Sequence, residues 1–171
     1  KASPASVICG ATPCLTNSDS TQKTACCQAD TQVTSYGTST SNVATGATPA
    51  SVTYVFTPLA LAATETFAIT HVTEARYATD AAVACTVAGT GTSGTVTCAN
   101  VGSVLTCTLD TSAVIANTAT TVVCSSNIKV NGAAQATTST IVTTNDLAAS
   151  DAATTTITTA ATCAQITTAS A

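Results

Sequence analysis

From residue 51 onward the chain alternates apolar and polar residues with a period of two, the mark of strands with one buried face. Val52, Tyr54 and Phe56 share one face of the first run, while Thr53, Val55 and Thr57 take the other. Pro58 ends that run because it has no N–H to give to a ladder. A second strand is expected over residues 65–72, with Phe67, Ile69 and His71 on one face. Three shorter strands follow at 82–87, 95–99 and 103–109, separated by Gly-containing turns. Their inward positions read Val83, Cys85 and Val87, then Val96 and Cys98, then Leu105, Cys107 and Leu109. Residues 118–130 carry Val122 and Cys124 and run into Asn131-Gly132, a strong hairpin signal whose expected partner is the β-branched run 137–144 around Ile141. The tail 154–168 alternates around Ile157 and Ile166 and contains Cys163.

No segment shows a helical stripe. Short strands at roughly ten-residue spacing, rich in Thr and Val, predict an all-β fold, an immunoglobulin-like β-sandwich of about seven or eight strands over residues 49–171. Its last strand is free to be donated to a neighbouring subunit. The immunoglobulin hallmark of a core Trp is missing, since the chain has none. Residues 1–48 lack the alternation and hold Cys9, Cys14, Cys26 and Cys27, which predicts a disulfide-stapled N-terminal arm or minidomain.

The cysteines change the picture most. Nine of them, Cys9, Cys14, Cys26, Cys27, Cys85, Cys98, Cys107, Cys124 and Cys163, in a chain of 171 residues imply an oxidising compartment and a disulfide framework. No paired C-x2-C knuckles favour zinc, so all nine are read as bridge candidates and no metal ligand is assigned. Cys98 and Cys107 fall on inward faces of neighbouring strands, so Cys107 is expected to pair with Cys98 or with Cys85. The odd count leaves one thiol for a bond to another subunit. Sequence alone leaves the remaining connectivity open.

Composition narrows the class. Charged residues make up 7% of the chain and the net charge is −4, with Lys1, Lys23, Arg76 and Lys129 the only basic groups, so there is no footprint for nucleic acid. Scarce aromatics fit disorder, but 45% hydrophobic residues and regular alternation argue for a folded chain. No apolar run is long enough to span a bilayer as a helix. Lys1 opens directly on a polar stretch, which reads as a secreted, mature chain whose leader has been removed. No Asn-x-Ser/Thr sequon occurs, whereas dense Ser and Thr make O-linked glycans the expected modification.

Candidate chemistry is sparse. His71 is the single histidine and sits by parity beside Phe67 and Ile69, the place of a core or interface histidine rather than a general base. Glu65, Glu74 and Asp80 flank turns, and a glycosidase pair among them would lack any Trp platform. Asn145, Asp146 and Asp151 do not have the spacing of a calcium loop. No catalytic residue and no cofactor are assigned, and the chain is not read as an enzyme.

The run SVTYVFTPLALAATETFAITHV, followed by CTV, LTCTL and IVTTND, resembles the Thr-rich secreted immunoglobulin-like β-sandwich modules of protist and algal surface proteins, and less closely pilin-like filament subunits. The resemblance covers about residues 50–156 and implies adhesion, coat or filament roles. The expected function is therefore a subunit of an extracellular homopolymeric filament, assembled by strand or arm exchange and stabilised by disulfides. The alternative is a monomeric cell-surface adhesion or glycan-binding module, which would need an aromatic or calcium-rich loop set.

Overall fold

The structure, a computed structural model, describes residues 32–111, 113–146 and 148–159, together with the backbone of Ile8–Cys9 and Thr12–Pro13. The chain divides into two compact units, Lys1–Thr31 and Gln32–Ala171. In the first, β1 (Ile8–Cys9) pairs antiparallel with β2 (Thr12–Pro13). The bridges expected of Cys14, Cys26, Cys27 and Cys163 lie outside the described residues, as does the side chain of Cys9.

The second unit is all-β, built as two antiparallel sheets in the manner of a β-sandwich. One sheet has the order β3 (Thr34–Thr40), β4 (Val52–Thr57), β10 (Thr120–Cys124), β7 (Cys85–Gly89). The other runs β12 (Ala153–Thr156), β11 (Ala136–Thr143), β5 (Thr66–His71), β9 (Val104–Leu109), β8 (Val96–Val101), β6 (Ala81–Val83). Alternation drives both sheets: β4 buries Val52, Tyr54 and Phe56, and β5 buries Phe67, Ile69 and His71. Phe56 and Phe67 meet across the sandwich with ring centroids 5.4 Å apart. Leu105, Leu109, Val122 and Ile141 complete the centre, each fully buried apolar side chain contributing about 1.5–3 kcal/mol. The two-residue turn between β8 and β9 works because Gly102 takes φ 59°, a region closed to most side chains.

Three features depart from the sequence reading. The expected strand 82–87 is two strands, because the chain leaves the larger sheet at Val83 and joins the smaller one at Cys85. Residues 34–40, assigned above to the arm, form β3 and pair with β4. Their register shifts between Thr34 and Gly37, with Ser35 at φ 55°, and this bulge removes the period-two signal. The hairpin expected at Asn131-Gly132 is absent, since β10 and β11 belong to different sheets. The Asn131 side chain is instead a buried tie that donates to the carbonyls of Asn42 and Ala44 at 2.9 and 3.0 Å. With β3 added and the 82–87 run divided, the described part of this unit has ten strands rather than seven or eight.

Candidate functional site

Two sheets have four outer strands, and the sandwich treats them unequally. On one side β3 and β12 are tied to each other. Thr155 Oγ1 donates to the Thr38 carbonyl at 3.2 Å, and beyond β12 the Thr158 N–H bonds the Val43 carbonyl while the Thr45 N–H bonds that of Thr158, both at 2.8 Å. On the other side, the three residues of β6 and the five of β7 form one run with a single-residue corner at Ala84. Among the described strands, only β10 pairs with β7.

The polarity of that edge follows from the ladder. The Ser125 N–H bonds the Ala84 carbonyl at 2.9 Å, and Cys124 lies directly opposite Cys85. Antiparallel pairs alternate between bonded and non-bonded, so Thr86 and Ala88 spend their backbone groups on β10 while Cys85 and Val87 aim theirs away from it. Thr86 and Ala88 are exposed, and residues 81–89 contain neither a charge nor a proline, the usual guards of a sheet edge.

The same strand begins at a concentration of sulfur. Cys85 and Cys124 are bridged across β7 and β10, and Cys98 and Cys107 across β8 and β9. Each pair is directly opposite in register, with Cα atoms 4.0 and 4.1 Å apart. Of the two pairings open for Cys107, the structure has the one with Cys98. Both bridges tie strands within a sheet, and they face each other across the core: the Sγ atoms of Cys85, Cys98 and Cys107 lie within 4.8 Å of one another. Cys98, Cys107 and Cys124 are buried and Cys85 is half-buried.

A polar cluster is built around His71. His71 Nδ1 lies 3.2 Å from the Ser103 carbonyl, which can only accept, so Nδ1 carries the proton. Nε2 then accepts from the Tyr54 hydroxyl at 2.9 Å, and Tyr54 accepts from Tyr77 at 2.9 Å. With a neutral imidazole every bond in this chain has one donor and one acceptor. Burial is the main reason the His71 pKa is pushed down to about 4, with the nearby Arg76 charge acting in the same direction and the Ser103 carbonyl opposing. Burial likewise holds the Tyr54 phenol well above its ordinary value. The Arg76 guanidinium is itself buried and donates to Asn131 Oδ1 at 2.8 Å and Thr137 Oγ1 at 3.0 Å.

The sign of the His71 effect is fixed. A folded pKa below the unfolded value of 6.5 means the unfolded chain binds the extra proton first, so stability is full above about pH 6.5 and falls toward pH 4. The expected loss is about 3 kcal/mol over that window. Urea titrations of the native chain and of His71→Gln at pH 7.5 and 4 check this. The variant should lose the histidine-linked part of the slope, and equal slopes in both proteins would refute it.

Three of the acidic residues singled out by sequence, Glu65, Glu74 and Asp146, accept backbone N–H groups of loops. Glu65 Oε2 accepts from the Ala62 N–H at 2.6 Å and from Asn145 Nδ2 at 3.0 Å, and Asp146 Oδ2 accepts from the Leu59 N–H at 2.8 Å and Thr143 Oγ1 at 3.1 Å. Glu74 Oε1 accepts from the Gly132 N–H at 3.0 Å. A groove of about 320 Å³ runs along Gln32, Val33, Thr34, Ser35 and Tyr36 to Asp151 and Ala152. Its phenol, Tyr36, meets Ser139 Oγ at 2.7 Å and is pushed up to about 12 by burial, so it is no acid or base near neutral pH. Sequence reasoning missed the β7 edge, because the corner at Ala84 leaves no break in the run Ala81 to Gly89, and it missed the Arg76–Asn131 tie, which looks like a turn. No helix among the described residues is long and apolar enough to cross a membrane. No family model, no curated protein and no solved structure matches the chain.

Proposed function

We propose that this chain is a structural subunit of a secreted, extracellular homopolymeric filament, in which a terminal segment of one subunit adds as a strand to the β7 edge of the next. In this reading the sandwich is immunoglobulin-like, residues 1–48 include a disulfide-stapled arm, O-linked glycans cover Thr-rich faces and the chain is not an enzyme. The observation that carries it is the β7 edge, which among the described residues pairs only with β10: outward backbone groups at Cys85 and Val87 in a run with no charge and no proline.

The energetics set what else is needed. Four backbone hydrogen bonds at about 1 kcal/mol net each give about 4 kcal/mol, which alone corresponds to a dissociation constant of about 1 mM. A durable fibre therefore also buries side chains or carries intersubunit bridges. In this reading the donor lies before residue 32 or after residue 159, because β3 and β12 are already paired within the sandwich. Deleting residues 1–31 and, separately, 160–171 tests the reading by sedimentation. One truncation should leave folded monomers, and polymerisation of both would end the proposal.

A further inference from the structure

The outward positions of the larger sheet form a surface of one kind. Across β8, β9 and β5 the register aligns Thr97, Thr108 and Thr66 in one row, and the Thr66 hydroxyl lies 3.3 Å from that of Thr144, just past β11. The next row is Ala99, Thr106, Ala68 and Val142. A third holds Val101, Val104, Thr70 and Thr140. No outward position of the six strands carries a charge or a side chain larger than valine. Val101, at 66% exposure, is the most exposed large apolar residue among the described residues.

A sheet face left to water carries polar side chains, and alanine, a poor strand former, gains nothing there. Small uncharged residues instead let a second sheet come close, and contiguous exposed apolar surface marks a contact. We propose that this face pairs with the same face of a second copy of the chain, about a two-fold axis that runs along the Ala99–Thr106–Ala68 row. That row then lies on itself, and the threonine row of each copy lies on the Val101–Val104 row of the other. A charged partner is disfavoured because its charges would be desolvated with nothing to pair with, whereas a second copy brings a surface as neutral as this one. The area is sufficient for such a pair. Strands about 4.8 Å apart that rise about 3.4 Å per residue present about 16 Å² per residue, so six strands of these lengths offer about 500 Å². Two copies then cover about 1,000 Å², the least that a specific interface needs, which makes the pair weak and reversible.

The pairing is independent of the β7 edge, which belongs to the other sheet, and it joins subunits side by side. The O-linked glycans of the filament reading then belong to loops and to the outer face of the smaller sheet, where Thr86 is exposed.

Thr106 is exposed and lies on the axis, so a charge placed there meets the same charge on the second copy. The full chain carrying Thr86→Lys and Ala88→Lys, substitutions that block the proposed strand addition, is followed by sedimentation over a concentration series. It should form dimers, and adding Thr106→Lys should weaken them by at least about a hundredfold. Thr106→Glu in the same chain should do likewise. An equimolar mixture of the Thr106→Lys and Thr106→Glu chains should dimerise again, since opposite charges then face each other, with the strand signal in circular dichroism retained throughout. Monomers at every concentration, dimers indifferent to Thr106→Lys, or a mixture that stays monomeric would overturn the pairing. Rescue by mixing is specific to a face that meets itself and does not arise from strand addition at β7, so failure here and failure of the edge joint are told apart.

Discussion

On the proposed filament reading, placing lysine at Thr86 and Ala88 together is expected to abolish assembly while leaving the monomer folded. Both side chains are exposed on the solvent face of β7, so the substitutions disturb neither the core nor the ladder to β10. Two ammonium groups beside the outward backbone of Cys85 and Val87 must be desolvated when a strand is added, the same device by which natural sheet proteins keep their edges apart. A penalty of about 3 kcal/mol per contact raises the critical concentration roughly a hundredfold. Sedimentation of the double variant beside the native chain, across the concentrations at which the proposal has the native chain assemble, checks this, alongside its urea midpoint. A polymer that forms as before would show that β7 is not the joint.

The second large effect concerns the bridges. Cys85 and Cys124 close a loop with a sequence separation of 39, and Cys98 and Cys107 one of only 9. Loop-closure entropy then predicts that replacing the first pair with alanine costs about 4 kcal/mol and the second about 3 kcal/mol. For a domain of this size the larger loss corresponds to a fall of roughly 8–16 °C in melting temperature. Urea unfolding of the two double variants, compared with the native chain, measures both. A chain whose midpoint is indifferent to loss of either pair would contradict the view that sulfur makes up for a core with few large side chains.

Much of the fold was readable because period two is a physical signal. In β4 and β5 the buried residues are the alternating ones, Val52, Tyr54, Phe56, Phe67, Ile69 and His71, since burial of those side chains is what aligns the strands. Where backbone geometry breaks parity, the signal disappears. The bulge at Ser35 hid β3, and the sheet change at Ala84 made two strands look like one. Asn131-Gly132 misled for a different reason: local turn preference was overridden by the buried Arg76, whose guanidinium needs the Asn131 carbonyl oxygen.

The candidate site was legible only in pieces. Parity placed Cys85, Cys98 and Cys107 inward, and the structure adds that Cys85 bridges to Cys124 and Cys98 to Cys107. The sequence also shows that residues 81–89 lack charge and proline, but not that this run ends at an edge. Edge position depends on strand order, which is set by long-range pairing and leaves no local trace.

Electron cryomicroscopy of the purified native material, at a resolution that traces strands, tests the central claim most directly. The account predicts long uniform fibres in which a segment of the neighbouring subunit runs beside Cys85–Gly89, its backbone bonded to Cys85 and Val87. Solitary particles, or fibres in which that strand faces solvent, would contradict it.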